Sequence, residues 1–243
     1  MLNLIHAHHA RHMEDLPFWL RLAATADGPI LELGCGTGRL TLPLVEAGFA
    51  VTGVERQAEA LRFLQGLCPA ATRPHLRLVQ ADFTALPLQA QFALAIMPCN
   101  TYSTLLPHER RAALQSIRRV LCPGGVFAAS LPNPLALLRL PLHSDPEVEE
   151  IFPHPQDGEP VQASSGWRRE GRVFAVQWHY DHLLPDGSVE RLSATIRHRL
   201  EKPAALLAEI EQAGFVPPSI YGDFDFSDYR RASPLWIFTA AAP

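Results

Sequence analysis

Apolar runs and helix-like segments alternate along the first half of the chain. Segments with the spacing of surface helices cover 37–48, 58–68 and 108–121. The runs between them are apolar almost throughout, as in strands that helices cover on both faces. The pattern therefore predicts a doubly wound, mainly parallel sheet, with strands at 29–34, 49–55, 75–82, 92–99 and 126–133.

The pattern changes after residue 133. Residues 134–157 are rich in proline and irregular, and strand-like alternation then returns at 160–168, 172–183 and 188–199. Asp186-Gly187 between the last two is a strong hairpin signal. A helix and two final strands follow. We therefore expect an α/β fold with a seven-stranded, mainly parallel Rossmann-like sheet that ends in an antiparallel hairpin.

The strand pattern also indicates how the chain is divided. The main domain would comprise 29–133 and 201–243, and 134–200 would be an inserted antiparallel β unit. Residues 1–28 would form an N-terminal helical segment or lid, with Asp15 as helix cap and Pro17 in the first turn.

Charge and cysteine content narrow the class of protein. The 243 residues carry a net charge of −4 and no long basic run, so nucleic acid is not an expected partner. The four cysteines are far apart and form no C-x-x-C pair, which favours reduced thiols over a zinc site or disulfides. The N-terminus lacks a signal-peptide pattern and no apolar run is long enough for a membrane span. We expect a cytoplasmic protein without a membrane partner.

The loop after the first predicted strand carries three glycines. From Gly34 it reads G-C-G-T-G-R, so Arg39 stands where a dinucleotide loop has its third glycine, and the Gly-Lys-Ser/Thr of a triphosphate loop is absent. The stretch from Glu32 to Gly38 instead resembles motif I of the class I S-adenosylmethionine-dependent methyltransferases, E/D-x-G-x-G-x-G. The resemblance covers about 15–133 and 203–241.

This resemblance implies S-adenosyl-L-methionine as cofactor and gives several residues a role. Glu32 would lie near the ammonium of the cofactor's amino-acid tail, Glu55 would accept hydrogen bonds from the ribose hydroxyls, and Asp82 with Phe83 would contact the adenine. The cofactor-binding candidates are Glu32, Gly34, Cys35, Gly36, Thr37, Gly38, Glu55, Arg56, Asp82, Phe83 and Pro98.

The segment after the fourth strand indicates which branch the chain resembles. Residues 97–102, M-P-C-N-T-Y, lack the N/D-P-P-Y/F of enzymes that methylate DNA bases or protein glutamine, and no acid cluster indicates a metal. The chain is similar to small-molecule methyltransferases of the glycine and sugar-amine N-methyltransferase type, in which an inserted sheet covers the substrate. We expect catalytic positions at Asn100, Tyr102, Asn133 and Tyr221, with His143, Trp178 and Tyr180 as weaker candidates.

Two features leave alternatives open. The N-terminal "HAHHARH" places His8 and His12 four residues apart, but no third ligand is near in sequence. We interpret the cluster as a polar segment or lid, and a role for His9 or His12 at the substrate mouth is the alternative. Alternating positions from Phe174 to His182 form an aromatic face that either lines a cleft or packs on the main domain.

The expected reaction is in-line methyl transfer to nitrogen or oxygen of a small organic molecule. The alternatives are an RNA or protein methyltransferase and a catalytically silent cofactor-binding protein. An NAD-dependent enzyme is disfavoured by Arg39 and by Asp82-Phe83, and a homodimer is left open.

Overall fold

A computed structural model describes residues 2–89 and 91–243. The central sheet has the strand order β10-β11-β5-β4-β1-β2-β3 and is parallel except at β10 and β11, which confirms the predicted fold. Its strands are β1 (Ile30–Leu33), β2 (Val51–Glu55), β3 (Leu76–Gln80), β4 (Phe92–Met97), β5 (Leu121–Pro132), β10 (Ser219–Tyr221) and β11 (Leu235–Ala241).

Helices cover both faces of this sheet because its central strands are apolar on both sides. All four residues of β1 are buried, and two hydrophobic clusters lie on opposite faces of the sheet. The helices are α1 (Leu2–His9), α2 (Leu16–Thr25), α3 (Thr41–Glu46), α4 (Ala58–Leu67), α5 (Thr101–Thr104), α6 (Pro107–Val120), α7 (Pro134–Leu137) and α8 (Pro203–Gln212). None of the helices described here is both long and apolar enough to cross a bilayer.

A second, antiparallel sheet has the order β6-β7-β8-β9. Its strands are β6 (Glu147–Pro153), β7 (Pro160–Glu170), β8 (Val173–Leu183) and β9 (Val189–Arg199). The predicted hairpin at Asp186-Gly187 joins β8 and β9, with Gly187 in the left-handed region. The division of the chain into lid, main domain and cap stays a prediction.

One local expectation was wrong, and a second holds for position only. The segment 134–157 is not irregular throughout, since it contains α7 and the edge strand β6. The sequence of β6, EVEEIFP, is rich in glutamate. Glutamate is uncommon in strands, so the sequence does not predict one here, but charged side chains suit an exposed sheet edge. Asp15 precedes α2 at the cap position, yet its side chain makes no capping hydrogen bond because it is engaged by Trp19 and Arg39.

Candidate active site

The glycine loop joins β1 to α3 through a backbone that only glycine adopts easily. Gly34, Gly36 and Gly38 have φ of +73°, +52° and +93°. At Gly38 a β-carbon would also lie 2.2 Å from the Cδ1 atom of Leu64 on α4, so a side chain there would push the loop away from its neighbouring helix. The loop is therefore fixed by both conformation and packing.

Glu32 lies beneath this loop at the carboxyl end of β1. It is buried, and the Thr41 hydroxyl donates to Oε2 at 2.5 Å. Burial raises the pKa of Glu32 to about 7, although the hydrogen bond from Thr41 acts in the opposite direction. The side chain is thus poised to ionise when a cation approaches it.

A cleft of about 280 Å³ lies beside the loop at the carboxyl ends of β1, β2 and β3. The structure brings five predicted cofactor residues to its walls: Gly34, Glu55, Arg56, Asp82 and Phe83. This is the edge at which parallel α/β sheets bind their ligands.

Glu55 and Asp82, two of the three acids that line the cleft, are held by local hydrogen bonds. The Gln57 amide donates to Glu55 Oε1 at 2.9 Å, and the Thr84 amide and hydroxyl donate to Asp82 Oδ1 at 2.8 and 2.7 Å. These bonds from Thr84 lower the pKa of Asp82, so it is ionised near neutral pH. Both carboxylates keep an oxygen outside these local bonds.

The remaining predicted loop residues face other groups. Cys35 is buried against Leu64 and Gly53, and its amide donates to the Val54 carbonyl. Thr37 lies on the opposite side of the loop, where its hydroxyl is 3.0 Å from His6 Nδ1 of α1. Pro98, also predicted to bind the cofactor, is buried after β4 and lines neither this cleft nor the larger cavity described next.

A larger cavity, of about 460 Å³, lies between the two sheets and the segment after α1. Its apolar wall includes Phe174, Val176 and Trp178 of β8 and Ile196 of β9. The first three positions of the aromatic face expected at 174–182 therefore line the larger cavity, whereas Tyr180 is buried further along β8, against α1.

The tip of β4 separates the cleft from the cavity. Asn100 lines the cavity, and the next residue, Thr101, lines the cleft. Cys99 and Asn100 have φ of 56° and 59°, two consecutive non-glycine residues in the left-handed region. Strain of this kind concentrates at functional sites. Asn100 is thus the predicted catalytic residue that the structure places at the junction.

The other three predicted catalytic residues do not line the cavity. Tyr102 is fully buried among Phe127 and Phe238, because the short α5 turns it into the core. Tyr221 packs on Phe18.

Asn133 is fully buried and has a structural role. Its amide group donates to the carbonyls of Arg231 and Ser233, and its oxygen accepts from the Leu135 amide and the Tyr229 hydroxyl. His143, a weaker candidate, is exposed on the surface outside the cavity.

Arg39 lines the cavity and was missed as a site residue. It forms a bidentate pair with Asp15, with Nη1–Oδ1 and Nη2–Oδ2 both 2.6 Å, and it donates to the carbonyl of His12 and to Cys99 Sγ. One guanidinium thus ties the glycine loop to the chain before α2 and to the tip of β4. In the sequence, Arg39 is notable only because it stands where a dinucleotide-binding loop has its third glycine.

His198 is a second cavity residue that sequence reasoning missed. It is buried on β9, and its Nδ1 is 2.9 Å from the Ser103 hydroxyl. Burial lowers its pKa to about 4, so the imidazole is neutral at pH 7. No signal in the sequence of β9 marks His198 as a cavity residue.

A family of known proteins is similar to a segment in the first half of the chain. Residues 30–125 match the family model described as "Methyltransferase domain". Over these residues the chain is similar to a methyltransferase domain. The match confirms the resemblance that the order of motifs from Glu32 to Asp82 indicates.

Individual proteins similar to this chain extend the comparison. A putative methyltransferase, YqeM, of Bacillus subtilis is 29% identical over 56% of this chain and 50% of its own. The CcbJ methyltransferase of Streptomyces caelestis is 25% identical with a TM-score of 0.75, covering 95% of this chain and 89% of its own. An S-adenosylmethionine-bound amino pentose methyltransferase of Micromonospora echinaspora shares the fold, at 21% identity, a TM-score of 0.73 and coverage of 98% and 95%. The chain spans about half the length of the curated relatives it matches.

Proposed function

We propose that the protein transfers a methyl group from S-adenosyl-L-methionine to a nitrogen or oxygen atom of a small organic molecule. The observation that carries the proposal is the pair of cavities that meet at residues 99–101. One has Gly34 and the acids Glu55 and Asp82, as expected for the cofactor, and the other has an apolar wall and a few polar groups, as binding sites for organic molecules do.

The cleft residues fit the cofactor by their chemistry. Glu55 presents a carboxylate at the end of β2, where two ribose hydroxyls could donate to it. Glu32 lies under the loop, where a tail ammonium would stabilise its ionised form. Phe83 and Leu105 offer apolar contact for a base, with Asp82 beside them. We infer that these residues, with the backbone of Gly34, hold the cofactor.

The protein's part in the reaction is positioning. S-adenosylmethionine supplies an electrophilic methyl group with an excellent leaving group. The cavity wall of β8 and β9 would hold the acceptor, and Asn100 would orient it at the junction with the cleft. Orientation of this kind contributes roughly 7–11 kcal/mol at best. A neutral amine needs no general base, whereas a hydroxyl acceptor would gain from one whose pKa lies near the working pH.

Calorimetry tests the cofactor part of this proposal. We expect S-adenosylmethionine and S-adenosylhomocysteine to bind, NAD not to bind, and Glu55→Ala to weaken binding at least tenfold. Glu59→Ala, an exposed acid on the next helix, is the matched control and should bind as the parent does. Absence of binding by both sulfur compounds would contradict the cofactor assignment.

Turnover tests the acceptor class. Release of S-adenosylhomocysteine is measured with panels of small amines and hydroxyl compounds, and separately with RNA and peptide substrates. Turnover with a small molecule supports the proposal. Turnover only with RNA or peptide would mean that the acceptor is a macromolecule. Tight cofactor binding without turnover on any panel would indicate a catalytically silent cofactor-binding protein.

A further inference from the structure

Three metal-binding side chains from distant parts of the chain meet at the end of α1. His8 and His12 stand four residues apart, and Glu150 reaches them from β6, 138 residues after His12. We propose that these three residues form a binding site for a divalent transition-metal ion, with Zn²⁺ as the best-fitting ion. The ligand that the sequence around the histidines lacks is supplied by the edge strand of the second sheet.

The distances suit a tetrahedral ion. His8 Nε2 and His12 Nε2 lie 3.4 and 3.2 Å from the same oxygen, Glu150 Oε1, and all three donor atoms lie within 4.8 Å of one another. Ligands bound to Zn²⁺ at 2.0–2.1 Å in tetrahedral geometry are separated by about 3.3 Å. Two histidines and one glutamate are also a common zinc donor set.

His8 is the group that ordinary hydrogen bonding leaves unexplained. Its side chain is 3% exposed, and its Nε2 atom has no hydrogen-bond partner although it faces Glu150. A buried polar atom without a partner costs about 1–3 kcal/mol. An ion at this point would satisfy Nε2.

The remaining atoms of the three ligands are oriented by neighbours. His8 Nδ1 is 2.9 Å from the buried Tyr180 hydroxyl, and Arg11 Nε donates to Glu150 Oε2 at 2.9 Å. His12 Nδ1 faces a carboxylate oxygen of Glu14 at 3.9 Å. Partners of this kind fix the ring and carboxylate orientation at metal sites. Arg11 leaves Oε1 of Glu150 directed at the two imidazoles.

A second cluster, His154, Asp157 and His182, is the weaker candidate and serves as a control. Both of its imidazoles already have a partner in Asp157, at 3.1 and 3.3 Å, and they stack with ring centroids 4.0 Å apart. It therefore has no unpartnered buried atom of the kind found at His8.

The site would join α1 to the second sheet beside the larger cavity. His12 lines that cavity, and the ring of Trp178, another lining residue, lies 4.9 Å from the ring of His8. A bound ion would thus fix the position of the segment after α1 at the cavity mouth. Metal binding would stabilise the fold without any cofactor or acceptor.

The test uses tag-free full-length protein, freed of metal with a chelator. Zn²⁺ affinity is measured by competition with a chromophoric chelator, and Co²⁺ is added separately to read the coordination geometry from its visible absorption. We expect one Zn²⁺ per chain and a tetrahedral Co²⁺ spectrum. His12→Asn and Glu150→Gln should weaken Zn²⁺ binding more than about 100-fold, since loss of even an orienting partner costs roughly 10- to 100-fold.

Two variants control the assignment. Glu149→Gln changes the neighbouring exposed glutamate, and His154→Asn changes the second cluster; both should keep the parent affinity. Because His12 is half exposed, its replacement should leave the metal-free fold intact, which circular dichroism verifies. Absence of stoichiometric binding, or a loss in His154→Asn that His12→Asn does not share, would overturn the proposal.

Discussion

Glu32 is the residue whose ionisation depends most on what binds the glycine loop. Its pKa is raised to about 7 by burial, so the protonated and ionised forms are both populated near pH 7. A tail ammonium beside it would favour the carboxylate, so binding should release a proton from the molecules that hold one. Calorimetry at pH 7 in buffers of different ionisation enthalpy measures this release as a slope of apparent binding enthalpy.

The variant that checks this assignment is Glu32→Gln. It keeps the shape and removes the titration, so the slope should vanish and binding of S-adenosylhomocysteine should weaken. In the protein without a bound cofactor, the raised pKa of Glu32 also makes the stability of the fold depend on pH. The folded state holds a proton that the unfolded state has lost, so this residue's contribution to stability declines as the pH rises from about 4.5 through 7. A buffer-independent enthalpy would contradict the proposed contact.

His198 makes a second, opposite pH dependence. Its pKa falls from 6.5 unfolded to about 4 folded, so the unfolded chain takes up a proton between these values and the folded chain does not. Its contribution to stability is complete above pH 6.5 and is lost as the pH falls towards 4. Urea unfolding at pH 5 and pH 7 should therefore show a smaller pH difference in His198→Gln than in the parent.

The exposed His108 provides the comparison for this effect. His108→Gln should leave the difference between pH 5 and pH 7 unchanged. Equal pH differences in the parent and in His198→Gln would mean that the imidazole on β9 titrates normally in the folded protein.

At the scale of elements, α2 is attached to the glycine loop through one ion pair. Asp15 and Arg39 have side chains only 8% and 13% exposed, and Asp15 also accepts from the Trp19 indole. Removing one partner of such a pair leaves a buried charge, at a cost of about 3–5 kcal/mol. Asp15→Asn should lower the free energy of unfolding by that order, measured by chemical denaturation. Asp27→Asn, an exposed acid just after the same helix, should change it by less than about 0.5 kcal/mol.

The elements differ in how far the sequence determines them. Strands β1 to β5 and the hairpin at Gly187 follow from apolar runs and turn residues, which act locally. β6 could not be predicted in this way, because a glutamate-rich edge strand forms through its pairing with β7 and not through its own apolar pattern. The buried positions of Tyr102 and Asn133 could not be predicted from the sequence either. The single turn of α5 directs Tyr102 into the core, and hydrogen bonds to backbone carbonyls hold Asn133 there.

At the scale of the whole molecule, the candidate site depends on contacts between distant segments. The cofactor cleft could be read from Gly34, Glu55 and Asp82, because each follows a strand of one parallel sheet. The larger cavity could not be predicted from the sequence, since Arg39, Asn100 and His198 come together only when the second sheet packs over the first. Pairings of this kind leave no periodicity along the chain.

This separation predicts that the two halves of the site can be impaired independently. Trp178 lines the cavity from β8 and does not line the cofactor cleft. Trp178→Ala removes an apolar contact surface of the acceptor, so we expect KM for the acceptor to rise roughly tenfold or more, given the 1.5–3 kcal/mol typical of a large buried apolar side chain. The Kd for S-adenosylhomocysteine should stay within about twofold of the parent.

Gln177→Ala is the matched control, because Gln177 is the preceding residue of β8 and is exposed. It should change neither the acceptor KM nor the Kd for S-adenosylhomocysteine. If Trp178→Ala weakened the binding of S-adenosylhomocysteine as much as it raised the acceptor KM, the second sheet would have to contribute to both cavities. If neither value changed, acceptor binding would have to lie outside the cavity that β8 and β9 enclose.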